Sequence, residues 1–117
     1  MSPSVIHSVI DIIAKAQSVE KVRSILLALL EPTRRDDGCL KYKLFENIND
    51  HCQFTFIGAW EHEDSFDDYL QSNHFHTAET ELKNDLTKDI NVKRYKYIQN
   101  DPSQPSHSKM SSLCLLL

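Results

Sequence analysis

Three observations predict an α+β chain, with helices laid against one antiparallel sheet. Four segments carry strand patterning, and intervening stretches carry helical spacing. Only two glycines occur in 117 residues, so regular elements are joined by few special turns. The two kinds of signal follow one another in the order β-α-β-β-α-(α)-β.

Residues 5–14 are rich in β-branched side chains: Val5, Ile6, Val9, Ile10, Ile12 and Ile13. Apolar residues occupy both parities, which predicts a strand mostly buried on both faces. His7 and Asp11 share a parity with Val9 and Ile13. Ser18 then offers an N-cap and Glu20 an acidic first turn. Val19, Val22, Ile25, Leu26, Leu29 and Leu30 follow at helical spacing, and Glu20, Lys21, Arg23 and Ser24 are left for water. Pro32 is expected to end or kink this helix. A polar connection, residues 33–37, leads to Gly38.

Residues 39–46 alternate, with Leu40, Tyr42 and Leu44 on one face and Lys41 and Lys43 on the other. That predicts a half-exposed strand. Residues 47–51 read as a turn. Residues 53–60 form the next strand, with Phe54, Phe56 and Trp60 on one parity. Gly58 among them marks close approach of a ligand or backbone. A short helix over residues 63–71 has Glu63 and Asp64 at its positive end and Phe66, Tyr69 and Leu70 on one stripe. Asn73 breaks it. Phe75, Ala78, Leu82 and Leu86 continue helical spacing to about residue 87, and residues 90–98 form the last strand. This order is the split βαβ arrangement called ferredoxin-like.

The length fits one domain over residues 1–99, followed by a flexible tail over residues 100–117 that is rich in serine and proline. A net charge of −4 and scattered basic residues argue against nucleic acid as a partner. The sequence has no apolar run long enough to span a bilayer and no charged n-region of a signal peptide. Three cysteines fit a reducing, cytoplasmic setting. Cys39 reads as a small buried hydrophobe. Cys39 and Cys52 start antiparallel strands and fall at opposite ends of the hairpin, too far apart for a disulfide. His74 and His76 are two residues apart on a helix, so their imidazoles diverge and no metal site is expected from them with His62 and Asp64. The terminal Cys114-Leu115-Leu116-Leu117 fits a prenylation box whose final Leu favours geranylgeranylation. A membrane is therefore a partner only through a lipid on Cys114. One such chain anchors weakly; two chains on a dimer anchor far better.

A ferredoxin-like sheet carries helices on one face only. The strands over residues 5–14 and 53–60 are apolar on both, so the second face needs a cover. A second copy of the same sheet supplies it, which predicts a homodimer with sheets face to face.

The string E-P-T-R-R-D-D-G-C-L-K-Y-K-L-F-E-N (residues 31–47) and the string W-E-H-E-D-S-F-D-D-Y-L-Q-S-N-H-F (residues 60–75) resemble the antibiotic biosynthesis monooxygenase family. These are dimeric α+β barrel proteins, and the resemblance covers roughly residues 5–98. Its oxygenases act on quinols and polyketide phenols without flavin, haem or metal, so the resemblance implies no cofactor. Other members degrade haem, and one isomerises a sugar phosphate. Trp60 and His74 correspond to the family's Trp and its second His. Tyr69 stands where many members have His, and Gly58 where many have Glu. Haem degraders carry Asn on the first strand, where this chain has none, and their His lies closer to the Trp. Haem cleavage is therefore not expected.

A phenol or hydroquinone becomes a far better one-electron donor once deprotonated. Oxygenation without a cofactor needs a base at the hydroxyl, an apolar cage and access for O2. His74, with an ordinary pKa of about 6.5, can take the proton at neutral pH. Tyr69, with an ordinary pKa of about 10, suits a hydrogen-bond donor or orienter. Trp60 and Phe56 are expected to sandwich the ring, with Gly58 and Phe66 lining the site. Arg34 is expected to favour the phenolate if the segment after Pro32 folds over the pocket mouth. The expected function is a cofactor-independent monooxygenase of a small phenolic or quinol-like compound. The alternatives are an isomerase of a small carbonyl or sugar-phosphate compound, and a non-catalytic dimeric binding module tethered through Cys114. An open pocket at Trp60, Tyr69 and His74 would favour an enzyme, and a filled core there the binding module.

Overall fold

Alternation along the first strand sets the layers. The computed structural model describes residues 5–98; the expected tail and Cys114 lie outside the described residues. In β1 (Ile6–Ile13) every second side chain from Ile6 is buried and those between are half-buried. The buried set points at the helices, as the strand period of two requires.

The remaining elements are α1 (Val19–Arg34), β2 (Cys39–Asn47), β3 (Asp50–Trp60), α2 (Glu63–Leu70), α3 (Asn73–Leu82) and β4 (Asn91–Lys96). The four strands make one sheet in the order β2-β3-β1-β4. Every neighbouring pair is antiparallel. β3 thus inserts between β1 and β2, the ferredoxin-like arrangement expected above. Ile10, Ile12, Phe54 and Phe56 on the sheet meet Val22 and Leu26 of α1 and Leu82 of α3, all at most 1% exposed. Burying each such side chain contributes roughly 1.5–3 kcal/mol.

Several local expectations change. Pro32 does not stop α1; it sits inside the last turn. There its missing N–H costs only the bond to the carbonyl of Ala28, an exposed residue. The Thr33 hydroxyl donates to the Leu29 carbonyl at 2.7 Å, which ties the same turn. Ser18 precedes α1, but its side chain makes no cap. It donates instead to Asp85 at 2.7 Å, and Lys21 reaches the same carboxylate at 2.7 Å. α3 ends at Leu82, and Leu86 pairs with Ala14 in an isolated bridge rather than continuing the helix. Leu40 is 52% exposed because a register shift between Cys39 and Lys41 puts it in a bulge.

The other sheet face has no helix. Cross-strand register places His7, Val9, Asp11 and Ile13 there beside Gln53, Thr55, Ile57 and Ala59, with Lys41, Lys43 and Phe45 on β2. The expectation of a strand mostly buried on both faces is corrected: the second face is half-buried and mixed in polarity. Its polar part holds together, with Thr55 donating to Asp11 at 2.6 Å and Lys93 3.7 Å from Asp11. Among the described residues no helix is long and apolar enough to cross a membrane.

Candidate functional site

Trp60 closes β3 with its ring facing α2, and it is completely buried. Its indole N–H donates to the Ser8 hydroxyl on β1 at 3.1 Å. Tyr69, from the apolar stripe of α2, stacks on it with ring centres 5.1 Å apart and planes at 21°. Phe66, one turn earlier, lies 5.5 Å from the indole. Tyr42 of β2 completes the group, stacked on Phe56 at 4.7 Å and edge-on to Trp60 at 5.9 Å. The rings expected to wall an open pocket are instead packed against one another. Trp60, Phe56, Phe66 and Tyr69 are each at most 1% exposed.

Gly58 does mark a close approach, made by the protein itself. A Cβ there would lie 2.8 Å from the Tyr42 ring and 2.9 Å from the Ser8 hydroxyl. The room an L side chain would need is taken by Tyr42.

The two phenols meet hydroxyl to hydroxyl at 2.6 Å. Burial pushes the Tyr69 hydroxyl up to about 12, and the bonds to Tyr42 and Thr33 pull back only part of that rise. Burial and the neighbouring Tyr69 hold Tyr42 well above the usual tyrosine range. Both are neutral phenols at physiological pH. Among the described residues no buried side-chain polar atom lacks a partner.

His74 lies in the first turn of α3. The Ser72 hydroxyl caps that turn by accepting from the Phe75 N–H at 3.2 Å. The imidazole is about a quarter exposed, with its ring 5.9 Å from that of Tyr69. Its Nε2 lies 2.7 Å from Oδ2 of Asp36. Asp36 is held by a turn: its N–H donates to the Thr33 carbonyl and its carbonyl accepts from Cys39 N–H. Gly38, at φ +83°, makes that turn, and its Cα packs directly against Ser65 at the start of α2. The segment after Pro32 therefore does reach the site, but it delivers Asp36. Arg34 points elsewhere and donates from Nε to the Tyr42 carbonyl at 2.9 Å. His74 also borders an open cleft of about 400 Å³ between α1 and α3.

Tyr42 and Asp36 were not recognisable as site residues from the sequence. Tyr42 looks like any inward residue of an alternating strand. Asp36 sits in an acidic turn that reads as solvated connection.

An antiparallel four-stranded sheet backed by three helices, with an aromatic cluster beside a His–Asp pair, defines a small ferredoxin-like α+β protein. Residues 5–81 match the family model described as antibiotic biosynthesis monooxygenase, and the chain belongs to that family. An uncharacterised protein of Synechocystis is 26% identical over 86 residues, covering 74% of this chain. The match spans 58% of that relative's length. Among solved structures, PA3566 from Pseudomonas aeruginosa superimposes with a TM-score of 0.78 at 20% identity, covering 85% of this chain and 99% of its own. Rv0793 from Mycobacterium tuberculosis gives 0.77 at 20% identity, covering 83% and 98%. A conserved protein from Methanosarcina mazei gives 0.74 at 24% identity, covering 79% and 91%. At these identities the likeness is one of fold.

Proposed function

We propose that this chain is a cofactor-independent monooxygenase that oxidises a small phenolic or quinol-like compound with O2. The observation that carries the reading is the His74–Asp36 pair at the border of the cleft. Asp36 accepts the Nε2 proton of neutral His74, which leaves Nδ1 basic. Nδ1 takes the phenolic proton, and the phenolate passes an electron to O2. For an anthrol, one oxygen atom becomes the new carbonyl and the other leaves as water. The substrate supplies all four electrons, so no external reductant is consumed. Tyr69 backs the imidazole, and Trp60, Phe56 and Phe66 hold Tyr69 in place.

The test is O2 uptake by metal-stripped protein against hydroquinones and anthrols. Uptake above autoxidation is expected, with a loss of more than about tenfold in His74→Ala and a smaller loss in Tyr69→Phe. Folded protein that consumes no O2 across the panel sinks the reading. It would favour a non-catalytic binding module, for which the dense packing of Trp60, Tyr42 and Tyr69 is the supporting observation.

The helix-free face of the sheet is proposed as the contact of a homodimer, centred on Ile57, Val9 and Ala59. Light scattering at micromolar concentration should give twice the chain mass. Ile57→Lys should give the monomer, because it puts a charge at the centre of the contact. Monomeric wild-type protein would end this proposal.

A further inference from the structure

We infer that the apolar run Leu113-Cys114-Leu115-Leu116-Leu117 docks as a peptide along the seam between α1 and α3 of its own chain and so covers the border of His74. The inference goes beyond the oxygenase reading and does not depend on it, because it concerns what fills the seam and not the chemistry of His74.

The seam is longer than the cleft beside His74. A second hollow of about 480 Å³, beside Lys21 and Ser24, shares Ile25 and Glu81 with that cleft. Side chains three or four residues apart make each wall a continuous stripe: Ser24, Ile25 and Ala28 on α1, and Thr77, Ala78 and Glu81 on α3. Ser24, Ala28 and Thr77 are exposed and small, so the two helices leave a groove between them. From Asn73 to Glu81 the groove follows eight residues of α3, about 12 Å along the axis. Five residues of extended chain span about 17 Å, enough to fill it.

The lining is mixed, and this decides the kind of occupant. Ile25, Leu29 and Ala78 make an apolar floor, and Asn73, Thr77 and Glu81 add polar groups. A hydrocarbon chain would cover those polar groups without pairing them. A peptide lays apolar side chains on the floor and offers backbone N–H and C=O to the polar groups.

Strand register brings the run within reach. Lys96 pairs with Ile6, Ile6 with Trp60 and Trp60 with Cys39, so β4 ends at the end of the sheet where β2 begins. Asp36, just before Cys39, touches His74. Ile98, the last described residue, therefore lies at the same end of the sheet as the His74 mouth of the seam. Three strand spacings and one layer of helix separate the two, a distance on the order of 20 Å. Leu113 is 15 residues beyond Ile98, a reach of up to about 50 Å. Charge agrees with this placement. Asp36 and the exposed Asp37 stand at that mouth. Lys109, the only Lys or Arg in residues 99–117, precedes the run by four residues and suits them.

The experiment compares amide NMR spectra of the full chain, of Leu115→Asp/Leu116→Asp and of Ala28→Glu, with a free peptide of residues 109–117 as reference. In the full chain the amides of residues 113–117 are expected to differ from those of the peptide. Leu115→Asp/Leu116→Asp should shift Ala28, Thr77 and Ala78 and leave Val9 and Ile57, on the helix-free sheet face, unmoved. Ala28→Glu puts a charge in the groove and should return residues 113–117 to the shifts of the free peptide. Ala28 is exposed, so this variant keeps its fold, as circular dichroism checks. Added to Leu115→Asp/Leu116→Asp, the peptide should restore the seam shifts of the unaltered chain. It should saturate below about 1 mM, the effective concentration of a tethered segment. Amides of residues 113–117 that already match the free peptide in the full chain overturn the inference. So do seam shifts that ignore Leu115→Asp/Leu116→Asp, or a peptide that fails to saturate. Seam shifts lost on dilution would place the run on a second copy and overturn its assignment to its own chain.

Discussion

Trp60→Ala is expected to lower the unfolding free energy by roughly 3–5 kcal/mol, a large-to-small truncation with little room to collapse. The indole is fully buried and touches the rings of Tyr42, Phe66 and Tyr69. Those rings come from β2 and α2, so the void would lie at the junction of three elements. The loss is a large part of the roughly 5–15 kcal/mol that holds a domain folded. A second cost is polar, because the Ser8 hydroxyl loses the indole donor it accepts from. Trp60→Phe weights the polar cost: it removes the donor and keeps most of the ring volume, for a loss of roughly 1–3 kcal/mol from the hydrogen bond. Urea unfolding at neutral pH measures both. A Trp60→Ala loss below about 1 kcal/mol would mean that the cluster is loosely packed, contrary to the stacking described.

Alkaline pH should destabilise the fold through the paired phenols. Below about pH 10 both the folded and the unfolded chain keep these protons, and the pair has no effect on pH dependence. Above it the unfolded chain releases them. The folded chain keeps the Tyr69 proton to about 12 and the Tyr42 proton beyond its usual range. The unfolded state then binds fewer protons than the folded one, so stability falls as pH rises. Each tyrosine contributes about 1.4 kcal/mol per pH unit, and Tyr69 alone about 2.7 kcal/mol between its two pKa values. Tyr95 and Tyr97 are at least half exposed and lie outside the buried pair. The double variant Tyr42→Phe/Tyr69→Phe removes both hydroxyls at once, so neither is left without a partner. Its unfolding free energy, measured by urea, should fall much less between pH 9 and 11 than that of the unaltered chain, on the order of 2 kcal/mol less. Equal slopes in the two proteins would show that the hydroxyl pair opens to solvent before unfolding.

These two expectations rest on residues the sequence marks unequally. Trp60 and Tyr69 stand out in it, one closing an aromatic-rich strand and the other on the apolar stripe of a short helix. Their chain neighbours are enough to place both rings inside. Tyr42 is 27 residues from Tyr69 along the chain, and nothing local to either says that their hydroxyls meet. Asp36 and His74 are likewise 38 residues apart. Pro32 misleads for a local reason: in the last turn of a helix a missing N–H costs little, and Thr33 restores a bond to Leu29. Leu86 misleads for a tertiary one, since its apolar side chain follows the helical stripe but its backbone pairs with Ala14.

The elements, their order and the ferredoxin-like sheet are legible in the chain, because period-two and period-3.6 patterns record which side of each element faces the core, and the family shows in the two strings at residues 31–47 and 60–75. Tertiary structure alone decided that the aromatic residues pack as a filled cluster, that Arg34 turns to the strand, and that Asp36 and the α1–α3 cleft flank His74. Periodicity reports burial but carries no information on which buried groups touch. Those contacts depend on strand register, on a bulge at Leu40 and on the Gly38 turn, each of which moves side chains by a few ångströms and leaves the pattern unchanged.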